Sequence, residues 1–250
     1  TVALNVAVAL SRNPQASTLL LDFDLSSGVI GFLLKLNNNH SIIEAADNAH
    51  QLDESIWPQL VTNVGSLDVV HSGPLPPDFR IETSQVRQMI EFARRHYRNI
   101  CVDLSGNLER YSLEIMHEAK HIFMVVTSEI PSLHLAREKL SFLERLDMAS
   151  KVRIVLNRSS RKSLVTPAQI EGLLGVRVAY TLNNDYQGVH RALQAGRSVE
   201  ASTELGRQFD AIANAILQKK PNQAEAEPKK RLVEYFSLLP SRQSVVSGNK

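Results

Sequence analysis

The 250-residue sequence holds a single cysteine, Cys101, so no internal disulfide can form and a reducing, cytoplasmic setting is expected. Cys101 lies within the apolar run NICVDLSG and is expected to be a buried, inert thiol. No apolar run approaches the roughly 20 residues that span a bilayer. No charged segment followed by an apolar core marks a secretion signal either, so a soluble protein is expected, peripheral at the inner membrane or a cell pole at most. There is no internal repeat. The sequence also lacks a glycine-rich loop followed by Lys and Ser/Thr. Its two glycine pairs, SGVIGF at 27–32 and EGLLGV at 171–176, carry neither residue and read as turns and helix ends. Charge of one sign is scarce too, since the net charge of +2 is too small to argue for nucleic acid as an obligate partner.

What is present points to one substantial core, because 43% apolar and 22% charged residues are ordinary for a globular domain of this length. Short apolar runs rich in β-branched residues alternate with amphipathic stretches, the pattern of βαβ units around a parallel sheet. Strands are expected at 17–24, 67–71, 99–104, 121–127, 152–156 and 177–182. Helices are expected at 1–11, 41–49, 83–97, 108–117, 132–146, 167–174, 185–195 and 202–217. Most of the strands are apolar on both faces, as a sheet covered by helices on both sides requires. The fold class is therefore α/β, a three-layer doubly wound and mostly parallel sheet. Composition changes to KKPNQAEAEPKK near Lys219, so the globular domain is expected over 1–217, with a polar, basic linker and tail over 218–250.

Chemistry gathers where strands meet loops. STLLLDFD delivers Asp22 and Asp24 to a strand end, and NICVDL delivers Asp103 to another. A parallel sheet places such ends on one side, where ligands of open α/β sheets bind. Carboxylates there can hold Mg²⁺ through oxygen or orient an attacking water, while Asp24 could equally cap a turn or helix. Asn157 and Arg158 end a third strand, and Asn183, Asn184 and Asp185 end a fourth. An Asn amide, donor and acceptor together, suits a purine edge, although Asn is also an ordinary turn former.

These pieces, in this order, resemble the MinD/ParA group of deviant P-loop ATPases, and most closely the CpaE/TadZ branch that serves Flp-type pilus assembly. TVALNVAVAL resembles the helix that follows the family's Walker A loop, LLLDFDLSSGVIGFLL its switch strand, ICVDLSGNL its Walker B strand, and VLNRSSRK its adenine-contact segment. LNNDYQGVHRALQAGRSV is similar to the closing turn and helix, where the family usually has proline at the position of Asn183. SIIEAADNAHQLDESIWPQLV and LDVVHSGPLPPDF follow the spacing of the CpaE/TadZ branch. The resemblance implies catalytic roles for Asp24 and Asp22, a water-mediated Mg²⁺ role for Asp103, and nucleotide contacts from Asn157, Arg158 and Asp185. It implies ATP and Mg²⁺ as cofactors, a homodimer, weak ATP hydrolysis used for switching, and pilus or secretion-system proteins as partners. The Walker A loop and the strand leading into it are expected upstream of Thr1, so these 250 residues alone are expected to bind ATP poorly. A ParA-like cargo positioner contacting DNA through Arg94, Arg95, Arg98, Arg153, Arg158, Arg161 and Lys162 is the alternative, as is a scaffold without ATPase activity.

From Lys219 onward seven Lys/Arg face three Glu, so the tail carries +4 and residues 1–218 carry −2. Within 229–239, Leu232, Tyr235, Phe236 and Leu239 recur at helical spacing behind Lys229, Lys230 and Arg231. Such a helix can lie on an anionic membrane surface or pack on protein. If it binds membrane, Phe236→Glu with Leu239→Glu abolishes co-sedimentation with anionic liposomes. Unchanged co-sedimentation would contradict membrane binding by this segment.

Overall fold

A computed structural model describes residues 1–74, 80–160, 163 and 165–218. The expected helix at 229–239, Arg161, Lys162 and positions 75–79 of the LDVVHSGPLPPDF stretch lie outside the described residues. The elements run α1 (Val2–Ser11), β1 (Thr18–Phe23), α2 (Ile30–Leu33), α3 (Ile42–Asp47), α4 (Trp57–Leu60), β2 (Thr62–Val64), β3 (Leu67–Val70), α5 (Thr83–His96) and β4 (Asn99–Leu104). They continue with α6 (Arg110–Glu118), β5 (Ile122–Val126), α7 (Ile130–Arg145), β6 (Val152–Ser159), α8 (Pro167–Leu174), β7 (Val178–Asn183), α9 (Tyr186–Gln194) and α10 (Glu204–Gln218).

The strands form two sheets. One has the order β2-β3-β1-β4 and the other β5-β6-β7. All pairings are parallel except β2 with β3, a short hairpin over Gly65 that the sequence pattern did not announce. In place of one continuous sheet, β4 and β5 each end a sheet, and neither pairs with a further strand among the described residues. Burial follows from that. All six residues of β1, between two neighbours, are buried, whereas all six of β4 are half-buried.

Helix α1 joins the sheets. Its sequence VALNVAVALS carries no charge, and a helix apolar all round must be covered on several sides. It packs on β1, β4 and α10, and α10 in turn packs on β7. Val6, Ala9 and Leu10 of α1 share one apolar cluster with Val155, Leu182, Phe209 and Ile212, against which Cys101 of β4 and Phe123 of β5 also rest. The facing strands of the two sheets thus pack on the same apolar cluster. Asn5, which with Ser11 makes up the buried polar residues of α1, is satisfied twice: its amide donates to Thr1 O at 2.8 Å and its Oδ1 accepts from Val199 N at 2.8 Å. A buried amide with both ends bonded costs little and fixes the approach to α10.

On the other side, α5 covers the first sheet with Val86, Met89, Ile90, Phe92 and Ala93, and α6 lies beside it. Arg87 reaches the buried Glu114 of α6 with two bonds, at 2.9 and 2.6 Å, which leaves that carboxylate compensated. Local chemistry starts and stops α8, which falls at the expected 167–174: the Thr166 side chain accepts from Gln169 N at 3.3 Å, Pro167 opens the first turn, and Gly175 ends it at φ 69°.

Candidate functional site

Register decides which carboxylates meet. In the β1/β4 ladder, Asp22 lies directly opposite Asp103 and Phe23 opposite Leu104, so both strands deliver their aspartates to the same level of the carboxyl edge. Asp22 is fully buried, a position a carboxylate holds only with donors around it. Asp24 N donates to its Oδ1 at 3.3 Å, Ile30 N donates to its Oδ2 at 3.1 Å, and the Ser72 hydroxyl also bonds to it. Burial nevertheless dominates and raises its pKa from the ordinary 3.8 to about 6, with repulsion from Asp103 adding to the rise. The two backbone bonds bind the turn between β1 and α2 to the strand end.

Asp103 is raised as well, chiefly by burial, with Asp24 adding to the rise, and the backbone nitrogen of Thr1 lies near enough to act on it electrostatically. The head of α1 therefore lies within electrostatic reach of Asp103. Asp24 is more open. Its Oδ1 accepts from Ser26 Oγ at 3.1 Å and from Ser27 N at 3.0 Å, which closes a local turn rather than capping a helix. Gly28 finishes that turn in a space that admits no side chain, because a Cβ there would overlap Ser72 Oγ and the Asp24 carbonyl.

Ser72 was not singled out from the sequence, yet it bonds to Asp22 and walls the Gly28 turn. A signal for it exists: each of the three parallel strands of this sheet is followed by a Ser-Gly pair, Ser27-Gly28 after β1, Ser72-Gly73 after β3 and Ser105-Gly106 after β4. Small residues at all three strand ends keep the edge open to close approach.

Asn157, Arg158 and Asp185 belong to the second sheet. Asn157 ends the regular pairing of β6, its Oδ1 accepts from Arg158 N at 2.9 Å, and Arg158 turns left-handed at φ 53°. The ends of β6 and β7 stay together through Asn184 N donating to Ser159 O at 2.9 Å. The Asp185 side chain caps α9 by accepting from Gly188 N at 2.8 Å, so its carboxylate already has a structural task. Among the described residues no hydrogen bond or ion pair joins these three to Asp22, Asp24 or Asp103. The site residues thus fall into two groups, an acidic one on the first sheet and an amide-bearing one on the second.

The acidic group suits Mg²⁺ of the kind held by one or two carboxylates, with water and substrate oxygens completing the shell. A cage built from protein alone is not there, since no cluster of three or more His, Cys, Asp or Glu with metal-holding geometry occurs among the described residues. No helix of the described residues is long and apolar enough to cross a membrane.

No known protein-family model matches this sequence, and no curated protein matches it. Solved structures do match. A ParA family ATPase from Chlorobium tepidum TLS superposes with a TM-score of 0.78 at 24% identity, over 85% of this chain and 92% of that one. The septum site-determining protein MinD from Pyrococcus horikoshii OT3, solved with Mg-ADP, gives 0.71 at 15% identity, over 87% and 89%. A putative plasmid partition protein from Borrelia burgdorferi B31, solved with AMPPNP, gives 0.68 at 15% identity, over 87% and 92%. At these identities the likeness is one of fold, and the chain has the MinD/ParA-type P-loop NTPase fold.

The raised pKa of Asp22 generates a prediction. The folded protein holds this proton more tightly than the unfolded chain, so acid favours folding through Asp22, and that contribution is lost as pH rises through about 4 to about 6. Urea midpoints of wild type and Asp22→Asn, compared across that range, are expected to shift in favour of the variant as pH rises. A pH-independent difference would contradict the assignment.

Proposed function

We propose that this chain is the nucleotide-switch domain of an ATP-dependent localisation and assembly factor for Flp-type pilus or secretion machinery, of the CpaE/TadZ kind. The observation that carries the nucleotide reading is the β1/β4 register, which sets Asp22 opposite Asp103 at the carboxyl edge beside Asp24 and the head of α1. In this reading Asp103 holds Mg²⁺ through water, and Asp24 orients the attacking water with Asp22 as the fixed base of its turn. Asn157 and Arg158 line the base pocket, and Asp185 supports it as the cap of α9. Bound Mg²⁺ neutralises phosphate charge, which three carboxylates alone would repel.

The phosphate loop belongs, in the same proposal, to a strand upstream of Thr1 that pairs between β4 and β5. Both strands have an unpaired edge among the described residues, and both rest on the cluster that α1 helps to build. A loop leaving such a strand would enter α1 at its N-terminus, where backbone N-H groups and the helix dipole favour an anion.

Switching through a dimer is supported by exposed apolar side chains in the segments that follow three of the strands. Phe32 is 82% exposed, Ile130 76% and Tyr186 74%, and they follow the carboxyl ends of β1, β5 and β7 respectively. Large exposed apolar groups are the side chains a protein partner would cover. The specific pilus reading rests on the spacing of the 41–61 segment and on the fold, with ATP hydrolysis weak and serving the switch.

Calorimetry with MgATP on the full-length polypeptide checks this reading. Wild type is expected to bind, Asp103→Asn to lose most of its Mg²⁺-dependent affinity, and Asp24→Asn to bind but turn over about 100-fold more slowly. Absence of MgATP binding by folded full-length protein would overturn the nucleotide switch and leave a scaffold.

A further inference from the structure

Lys139 stands on α7, the helix that follows β5, and its side chain reaches the loop that follows β4. A Cβ placed on Gly106 would lie 3.1 Å from Lys139 Nζ, so the ammonium rests against the backbone three residues beyond Asp103. Lys139 is half-buried, and it makes no hydrogen bond or ion pair among the described residues. A half-buried lysine stem that carries an ammonium with no protein acceptor leaves three donors free for an anionic ligand. Side chains on a helix lean toward its N-terminus, and the N-terminus of α7 lies at the carboxyl end of β5. Lys139 therefore leans toward the carboxyl edge.

The acidic residues of that edge do not occupy it. Asp22 is satisfied by Asp24 N, Ile30 N and Ser72, and Asp24 by Ser26 and Ser27. Ser105, beside Gly106, is bonded to Glu109 at 3.0 Å. The missing side chain at Gly106 leaves the ammonium open on the face turned toward the loop. A cation held against the loop that follows Asp103, with no protein counterion among the described residues, fits the phosphoryl oxygens of a nucleotide, whose negative charge Mg²⁺ neutralises only in part.

We propose that Lys139 is an anion-binding residue of the carboxyl-edge site, contacting a phosphoryl oxygen of a Mg-nucleoside triphosphate from α7. The inference rests on the nucleotide reading above and adds a second lysine to the one expected in the upstream loop. It assigns to the helix after β5 a contact that the sequence-based resemblance left without any named residue.

The test uses the full-length polypeptide as wild type, Lys139→Met, Lys139→Arg and Asp103→Asn, each titrated calorimetrically with MgATP after its nucleotide-free thermal midpoint is confirmed. Lys139→Met is expected to weaken MgATP binding about tenfold or more, the loss of one charge-assisted hydrogen bond, and Lys139→Arg to retain most of the affinity. Lys139→Gln serves as the neutral variant if methionine lowers the thermal midpoint. Wild-type affinity in the neutral variant, with Asp103→Asn weakened, would overturn the role of Lys139 and leave the nucleotide reading standing. Absence of MgATP binding by the wild type would overturn both.

Discussion

Six consecutive parallel pairs hold β1 against β4, from Thr18 with Asn99 to Phe23 with Leu104, and the chemistry of the carboxyl edge depends on that ladder. A shift by one residue would turn Asp22 and Asp103 to opposite faces, because successive side chains alternate across a sheet. The same ladder places the buried Asp22 beside the half-buried Asp103; withdrawal from water raises both pKa values, and the folded chain tolerates the inner carboxyl only by aiming backbone N-H groups and a serine at Asp22. Acidic groups crowded in this way accept a divalent cation readily, since its charge relieves the repulsion that the fold has already absorbed.

The second constraint is the separation of the strands into two sheets. Neighbours fully bury β1, whereas among the described residues β4 has a strand on one side only and its residues stay half-buried. Cys101 belongs to that half-covered strand, and its thiol pKa is still pushed up to about 12, since apolar contacts with α1 and α10 surround the sulfur while the backbone edge of the strand stays unpaired. Its inertness is a property of the side chain's surroundings. An unpaired edge next to an apolar cluster is a template for pairing, and a parallel strand is the element it accepts. The proposed phosphate-loop strand, placed there, would join the acidic group of the first sheet to the amide-bearing group of the second, which the described residues leave unconnected.

Much of the architecture was legible in the sequence because its periodicities are strong. STLLLDFD, NICVDL and VRIVLN are apolar on both faces and became β1, β4 and β6, and the amphipathic 83–97 stretch became α5 with its predicted start intact. Short elements escaped. Thr62–Val64 has three residues and pairs only through a turn at Gly65. Ile30–Leu33 and Trp57–Leu60 have four each, too few for a period to emerge. Strand order was also out of reach, since the pairing of β1 with both β3 and β4 is a tertiary choice that no local pattern encodes. At the site, Asp22, Asp24 and Asp103 were visible because carboxylates at the ends of apolar strands are conspicuous. Ser72 and Lys139 were not, because a serine after a strand and a lysine within an amphipathic helix look like solvent-facing residues until the fold brings them to the edge.

The proposed nucleotide site depends on a strand that completes the sheet between β4 and β5. Amide hydrogen exchange of Asn99–Leu104 and Ile122–Val126 measures this directly, in the 250-residue chain and in the full-length polypeptide. Alternate amides of β4 and β5 are expected to exchange fast in the shorter chain and to become protected in the longer one. Equal exchange in both, with the rest of the fold protected alike, would contradict it.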